Sequence, residues 1–204
     1  MIDSGMFGSS VALEDRLKTI EEIGQFADHL KGIGLKIVLT QGSWDLLHVA
    51  HKRYIAKARS HGDVLVVGVD SDEKIRSRKG EDRPLVPQEE RLEMLAALRS
   101  VDVVVLKELN HPKWVLIKEV RPDVLIVSET TRKNKPIPQE EIDEIQKYCG
   151  KIVILPAQGE TTTSARIANF TFTVAMRIRA ALEAAIPHII ESVTGSPERK
   201  EEKK

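Results

Sequence analysis

The 204-residue sequence has few of the features that mark secreted or membrane proteins. Its single cysteine, Cys149, excludes an internal disulfide and so favours a reducing compartment. No apolar run approaches the roughly 18 residues needed to span a bilayer, and the N-terminus has no basic segment followed by a long apolar one. We therefore expect a cytoplasmic protein that does not bind a membrane.

The sequence also has no excess of positive or of negative residues. The chain has 31 Lys and Arg residues and 31 Asp and Glu residues, so its composition gives no reason to expect a nucleic-acid partner. Hydrophobic residues make up 41 %, which is ordinary for a globular protein, and the length suits one full domain better than two.

Short apolar runs alternate with longer amphipathic segments. The runs are typical of parallel strands that are covered on both faces; they are Leu35–Thr40, Val64–Val69, Val101–Leu106, Val124–Val127 and Ile152–Leu155. Helices are predicted at about 14–31, 47–60, 87–99, 111–120 and 138–148. This alternation predicts an α/β fold with a doubly wound, parallel, five-stranded sheet of the Rossmann-like kind.

The ends of the chain differ from this pattern. We expect a flexible N-terminus at 1–12, the α/β domain at 13–168, a helical extension at 169–193 that Pro187 ends or kinks, and a disordered charged tail at 194–204. An apolar stripe on the extension predicts a homodimer; it comprises Phe170, Val174, Ile178 and Leu182. Residues 71–88 are polar and contain two prolines, and we expect them to form a long loop.

The segment Gly42–His51 follows the first predicted strand directly. Gly42 allows the backbone to approach a ligand closely, and His48 and His51 lie three residues apart near the start of the next helix. A helix N-terminus offers backbone N–H groups and a positive dipole end, both of which favour phosphate. This segment therefore predicts a nucleotide site at the carboxyl edge of the sheet.

Three motifs in order resemble the cytidylyltransferase-like nucleotidyltransferases. The signatures G-x-F-D-x-x-H-x-G-H, R-Y-V-D and I-S-T-T of those enzymes are matched by Gly42–His51, Arg99–Asp102 and Thr161–Ser164. Within this superfamily the chain is most similar to the adenylyltransferase domain of ADP-heptose synthesis. The further matches are Gly68–Asp72, Lys79-Gly80, Arg83–Pro87 and Glu89–Arg91.

The resemblance implies that a phosphate of the acceptor attacks the α-phosphate of a nucleoside triphosphate. It implies catalytic roles for His48, His51, Lys79 and Arg91. The residues it implies for nucleotide binding are Thr40, Gln41, Gly42, Ser43, Trp44, Asp45, Ala50, Arg83, Ser128, Thr161, Thr162, Thr163 and Ser164. Acceptor binding is expected from Asp70, Glu129 and Arg132. Mg²⁺ is expected to arrive with the triphosphate, without a dedicated set of protein ligands.

The sequence allows two roles each for Asp45, Arg99 and Asp102. Asp45 either caps the second helix or fixes the motif, and Arg99 and Asp102 either serve the site or pair with each other. The chain also differs from the heptose enzymes, with Ala50 in place of a glycine and a different segment at Ser128–Asn134. We expect transfer of AMP from ATP to a phosphorylated small molecule such as a sugar phosphate. The alternatives are a cytidylyltransferase acting on glycerol phosphate or a similar alcohol phosphate, and a non-catalytic nucleotide-binding relative.

Overall fold

The computed structural model describes residues 13–129, 138–159 and 163–195. The chain divides into two compact units, Met1–Glu160 and Thr161–Lys204, which are described separately below. The predicted flexible N-terminus at 1–12 lies outside the described residues, as does nearly all of the predicted tail.

The first unit contains a parallel sheet of six strands in the order β1-β4-β3-β2-β5-β6. The strands are β1 (Leu17–Lys18), β2 (Ile37–Gly42), β3 (Val64–Asp70), β4 (Val103–Lys107), β5 (Val124–Ser128) and β6 (Lys151–Leu155). The predicted α/β class and parallel sheet are confirmed. The count of five strands was wrong by one, because β1 has only two residues and so gives no apolar run; it pairs with Val104 and Val105 at the edge.

Helices cover both faces of this sheet. They are α1 (Ile20–Gly32), α2 (Val49–Arg59), α3 (Asp72–Lys79), α4 (Gln88–Ala96), α5 (Val115–Val120) and α6 (Gln139–Gln146). One buried cluster joins α1 and α5 to the sheet through Ile23 and Leu116. The other joins α2 and α4 to it through Ile55 and Leu95. Every residue of β3 is buried, in agreement with its continuous apolar run.

The first predicted helix starts later than the sequence pattern indicated. Residues 13–16 form a 3-10 helix, and α1 begins only at Ile20. A capping box fixes this start, because the Thr19 hydroxyl accepts from the Glu22 N–H at 3.2 Å and the Glu22 carboxylate accepts from the Thr19 N–H at 2.8 Å. The prediction of helix was therefore wrong for residues 17–18, which form β1, and residues 14–16 are a separate 3-10 helix.

The predicted loop at 71–88 contains a helix, α3, so that prediction was wrong for residues 72–79. Ser71 caps this helix by accepting from the Lys74 N–H at 3.2 Å, and Ile75 is its one buried residue. A single apolar anchor gives no helical period, which is why the sequence concealed the helix. The remaining residues connect α3 to α4, with a cis peptide bond at Arg83-Pro84.

The strand order reverses between β2 and β5, which lie side by side at the centre of the sheet. In open parallel sheets of this type, ligands bind beyond the carboxyl ends of the strands at such a reversal. Gly42 is the last residue of β2 and lies at this edge. The topology therefore places the start of the Gly42–His51 segment where a ligand is expected.

The described residues of the second unit, 163–195, form the helix α7 (Thr163–Thr194). At 32 residues it is about 48 Å long. It continues past Pro187, so of the two expected effects of this proline, an end or a kink, the end of the helix was wrong. Apolar side chains along it are exposed, among them Phe170, Val174, Ile178 and Leu182. Among the described residues, no helix is long and apolar enough to cross a membrane.

Candidate active site

A strained turn begins the site. After β2 the chain passes through Trp44 and Leu46, which both have positive φ, at 55° and 46°. Trp44 is only 6 % exposed, and its indole Nε1 donates to the Gly68 carbonyl at 2.9 Å. A Cβ on Gly42 would lie 3.4 Å from the indole ring, so the ring packs directly against the end of β2. Burial of this large side chain offsets the cost of the positive φ values.

The two motif histidines lie side by side. His48 is the N-cap of α2, and its Nδ1 accepts from the Ala50 N–H at 3.2 Å. The rings of His48 and His51 stack with their centroids 4.1 Å apart, and the Trp44 ring meets the edge of His51 at 5.7 Å. Because Nδ1 of His48 is an acceptor, the proton of the neutral ring lies on Nε2.

His51 is held in its neutral form. Burial is the main cause that lowers its pKa, to about 4, and the neighbouring His48 and Lys79 lower it further against the opposing effect of Asp45. Its Nδ1 is buried and has no hydrogen-bond partner among the described residues. A neutral imidazole beside a cationic group is suited to receive an anion, whose charge would raise this pKa again.

Asp45 fixes the chain between α3 and α4. It is 5 % exposed; one carboxylate oxygen pairs with Arg83 at 2.9 Å, and the other accepts from the N–H groups of Leu85 and Val86 at 3.1 Å each. The alternative in which Asp45 caps the second helix was wrong, because His48 occupies the N-cap. Asp45 and Arg83 thus join the motif to the 83–86 segment.

Arg91 is buried, with 1 % of it exposed. Its guanidinium donates to the carbonyls of Val86, Ser43 and Asp70, and it forms an ion pair with Asp72 at 2.6 Å. A cation at the start of α4 therefore finds its anion within the protein. These bonds tie together the turn after β2, the end of β3 and the start of α3. The catalytic role expected for Arg91 stays a prediction, and its contacts are those of a positioning residue.

Lys79 is the last residue of α3 and is exposed. Its pKa is lowered chiefly by partial burial of the ammonium group and then by Arg78, whereas Asp45 and Asp70 raise it. Within the described ranges, the Lys79 ammonium forms no hydrogen bond or ion pair of its own. A cation of this kind beside the histidine pair is available to bind a phosphate.

Two cations that the sequence analysis did not single out as site residues surround Asp70. Arg78 Nη2 lies 2.6 Å from Asp70 Oδ2, and Lys107 Nζ lies 3.1 Å from Oδ1. Asp70 and Lys107 are register partners at the carboxyl ends of β3 and β4. Opposite charges at the ends of two apolar runs were the available signal, but it could be read only once the pairing of the strands was known.

The remaining predicted residues fall into three groups. The Thr40 hydroxyl lies 2.9 Å from the Tyr54 hydroxyl in the core. Ala50 lies against Gly159, and a Cβ added to Gly159 would be 2.7 Å from the Ala50 Cβ. Gln41, Gly42, Ser43 and Ser128 are half-buried at the carboxyl edge, and Glu129 is exposed. Thr161, Thr162 and Arg132 lie outside the described residues, whereas Thr163 and Ser164 are the first residues of α7.

Asp102 pairs with Arg59, at 3.0 Å, rather than with Arg99. Its carboxylate also accepts from the Leu65 N–H at 2.8 Å, so it supports the start of β3. The alternative of an Arg99–Asp102 pair was wrong, and Asp102 has a structural role. Within the described part of the chain, no group of three or more His, Cys, Asp or Glu side chains is placed to hold a metal ion.

Fold, strand reversal and motif geometry agree with a sequence match to a known family. The profile of the cytidylyltransferase-like family matches residues 39–178, which is more than half of the chain. The chain belongs to this family, and the predicted class of nucleotidyltransferase enzyme is confirmed.

Individual relatives make the resemblance more specific. The chain is 42 % identical over 130 residues to the bifunctional protein HldE of Aliarcobacter butzleri and 45 % identical over 113 residues to that of Nitratiruptor sp.. These matches cover 64 % and 55 % of this chain but only 27 % and 24 % of the relatives, so the chain spans about a quarter of their length.

A solved structure is similar to this chain in both sequence and fold. The lipopolysaccharide core biosynthesis protein from Thermoplasma volcanium is 27 % identical, with a TM-score of 0.51, and the match covers 61 % of this chain and 98 % of that one. That protein and this chain thus share a fold over almost the whole of the smaller molecule.

Proposed function

We propose that the protein transfers AMP from ATP to a phosphorylated small molecule, of which a sugar phosphate is the first candidate, and releases pyrophosphate. The observation that carries the proposal is the stacked pair of His48 and His51 at the start of α2, which follows the end of β2 at the strand reversal. Similarity to HldE proteins and to the adenylyltransferase domain of ADP-heptose synthesis supports ATP over CTP.

The reaction requires one bond to form and one to break. An oxygen of the acceptor phosphate attacks the α-phosphorus, and the bond from this phosphorus to the oxygen bridging to the β-phosphate breaks. Negative charge grows on the pyrophosphate as it leaves. The protein contributes mainly by placing the reactants and stabilising this charge.

Some of the site residues bind the triphosphate, and others position the segments around it. His48 and His51 donate hydrogen bonds to the triphosphate, and Lys79 adds a mobile positive charge from the end of α3. Asp45 and Arg91 hold the surrounding segments in place through the bonds described above. These two are positioning residues, since their charged groups already bond to the protein.

Mg²⁺ enters this scheme as part of the nucleotide substrate. Both oxygens of Asp45 and both of Asp70 already accept hydrogen bonds or pair with cations of the protein. Mg²⁺ commonly keeps several waters and binds through substrate phosphates. The triphosphate and water are therefore its expected ligands.

The stripe on α7 supports a homodimer. Ile178 and Leu182 are 56 % and 60 % exposed and lie one turn apart, on the face that also carries Val174. We expect the double substitution of Ile178 and Leu182 by lysine to convert a dimer to a monomer in light scattering. Met176→Lys, on the opposite face, should leave the dimer intact; a wild-type monomer would contradict this part of the proposal.

The first test is a calorimetric titration with ATP, CTP, GTP and UTP, each with Mg²⁺. Selective binding of ATP supports the adenylyltransferase, and selective binding of CTP supports the cytidylyltransferase alternative. Release of pyrophosphate on adding sugar phosphates or glycerol phosphate then identifies the acceptor. Binding without turnover on any phosphorylated acceptor favours the non-catalytic relative, and binding of no nucleotide overturns the proposal.

A further inference from the structure

Lys107 lies at the carboxyl end of β4, beside Asp70 at the end of β3. Only 13 % of its side chain is exposed, and burial lowers the pKa of its ammonium group. A buried cation needs a specific reason, because removing it from water costs free energy that a single partner rarely restores in full. Its described partner is Asp70, at 3.1 Å.

Gly68 leaves room for three neighbouring side chains, one of which is Lys107. A Cβ built on Gly68 would come within 2.6 Å of Leu116 Cδ2, 3.0 Å of Gln41 Cβ and 3.1 Å of Lys107 Cδ. The alkyl part of Lys107 therefore passes over β3 at the one residue of that strand without a side chain. Gln41 contacts the same point from β2, so Lys107 lies on the face of the sheet that α5 covers, near the carboxyl ends of β2 and β3.

The charges around Asp70 do not balance. Asp70 provides one negative charge, whereas Lys107 and Arg78 provide two positive charges in direct contact with it. Lys74 and Arg78 are close enough to lower the pKa of Lys107 further. This excess of positive charge beside a buried carboxylate would stabilise a second anion bound at the same place.

Arg78 differs from Lys107 in its freedom to move. Half of the Arg78 side chain is exposed, and one nitrogen also lies 3.4 Å from the Ser43 hydroxyl. It can thus turn toward a ligand while Lys107 keeps Asp70 neutralised. A guanidinium binds two oxygens of a phosphate in parallel, and a lysine adds a point charge.

We propose that Lys107 and Arg78 bind the phosphate of the acceptor, and that Lys107 makes the site selective for a phosphomonoester over a neutral alcohol. This rests on the proposed transferase function. One acceptor oxygen attacks the α-phosphorus as described above, and the two cations hold the other oxygens of the same phosphate. Lys107 is in this scheme a specificity-determining residue.

The test measures the binding of inorganic phosphate to the full chain saturated with Mg²⁺ and a non-hydrolysable ATP analogue, which occupies the triphosphate site. The expected result is that Lys107→Met weakens phosphate binding at least tenfold and leaves the affinity for the analogue within twofold. The control Lys113→Met removes a lysine that is 64 % exposed and should change neither affinity.

Loss of Lys107 leaves Asp70 with one cation and so risks unfolding. The double variant Asp70→Asn with Lys107→Met removes both charges of the pair and should still bind phosphate at least tenfold more weakly than the wild type. Phosphate binding equal to the wild type in either folded variant, or no phosphate binding by the wild type, overturns the proposal. Failure of the wild type to bind any nucleotide would instead overturn the proposed transferase function. In that case, phosphate binding to the nucleotide-free protein, weakened by Lys107→Met, would still support a phosphate site at Lys107.

Discussion

Arg91 and Asp72 form an ion pair inside the protein, with 2.6 Å between Nη2 and Oδ1. The same guanidinium holds the carbonyls of Ser43 and Asp70, so the pair links the turn after β2 to the segment between β3 and α3. Arg91 belongs to the matched segment Glu89–Arg91, and its described contacts are with other residues of the protein. We therefore expect any effect of Arg91 on catalysis to arise from the positioning of these segments.

Arg91→Lys should therefore reduce both stability and turnover. A lysine cannot replace the several directed bonds of the guanidinium, and we expect the free energy of unfolding to fall by about 2–4 kcal/mol. Urea denaturation measures this change. Arg53→Lys, at an exposed position of α2, should alter stability by less than about 0.5 kcal/mol. An Arg91→Lys protein as stable as the wild type, but inactive, would point to direct contact with substrate instead.

His51→Gln should reduce turnover without reducing stability. We expect turnover to fall about 10²–10³-fold, because one preorganised donor to the developing charge is lost, and we expect stability at neutral pH to stay near that of the wild type. Steady-state kinetics with the acceptor found by the nucleotide screen measures the first effect, and thermal unfolding the second. His29→Gln, at an exposed position of α1, is the matched control. Full activity of His51→Gln would contradict the assignment.

The lowered pKa of His51 also predicts how stability depends on pH. Between its usual value of 6.5 and about 4, the unfolded chain binds a proton that the folded protein does not, so stability falls as the pH falls through this range. The loss amounts to at most about 3 kcal/mol. Urea denaturation at pH 7 and pH 4.5 should show a smaller difference for His51→Gln than for the wild type. Equal differences would mean that the folded protein protonates His51 normally.

The fold and the motif were readable because both depend on local patterns. Apolar runs fixed the strands, and the spacing of Gly42, Asp45 and His48 fixed the motif. The roles of single residues were less accessible, since they depend on which strands become neighbours. The pairing of Asp70 with Lys107 joins residues 37 positions apart, through a sheet order that the alternating pattern leaves undetermined.

Helix α3 was missed for a different physical reason. Its eight residues contain one buried side chain, Ile75, so tertiary contacts and a serine cap stabilise it without an apolar stripe. That error mattered for the site, because α3 carries Arg78 and Lys79. The helix places Arg78 within reach of Asp70, and half of the Arg78 side chain stays exposed.

Ala50, which stands where the family motif has glycine, leads to a last prediction. Ala50 lies where a Cβ added to Gly159 would come within 2.7 Å of its own Cβ, which is closer than folded proteins allow. Gly159→Ala should therefore reduce stability by about 1–3 kcal/mol through overcrowding. In the double variant with Ala50→Gly the clash disappears, so the loss should be smaller than the sum of the single losses by at least about 1 kcal/mol. Urea denaturation of the four proteins measures this coupling. Additive losses would show that the segment after β6 moves away from α2 at little cost, and that the two positions are independent.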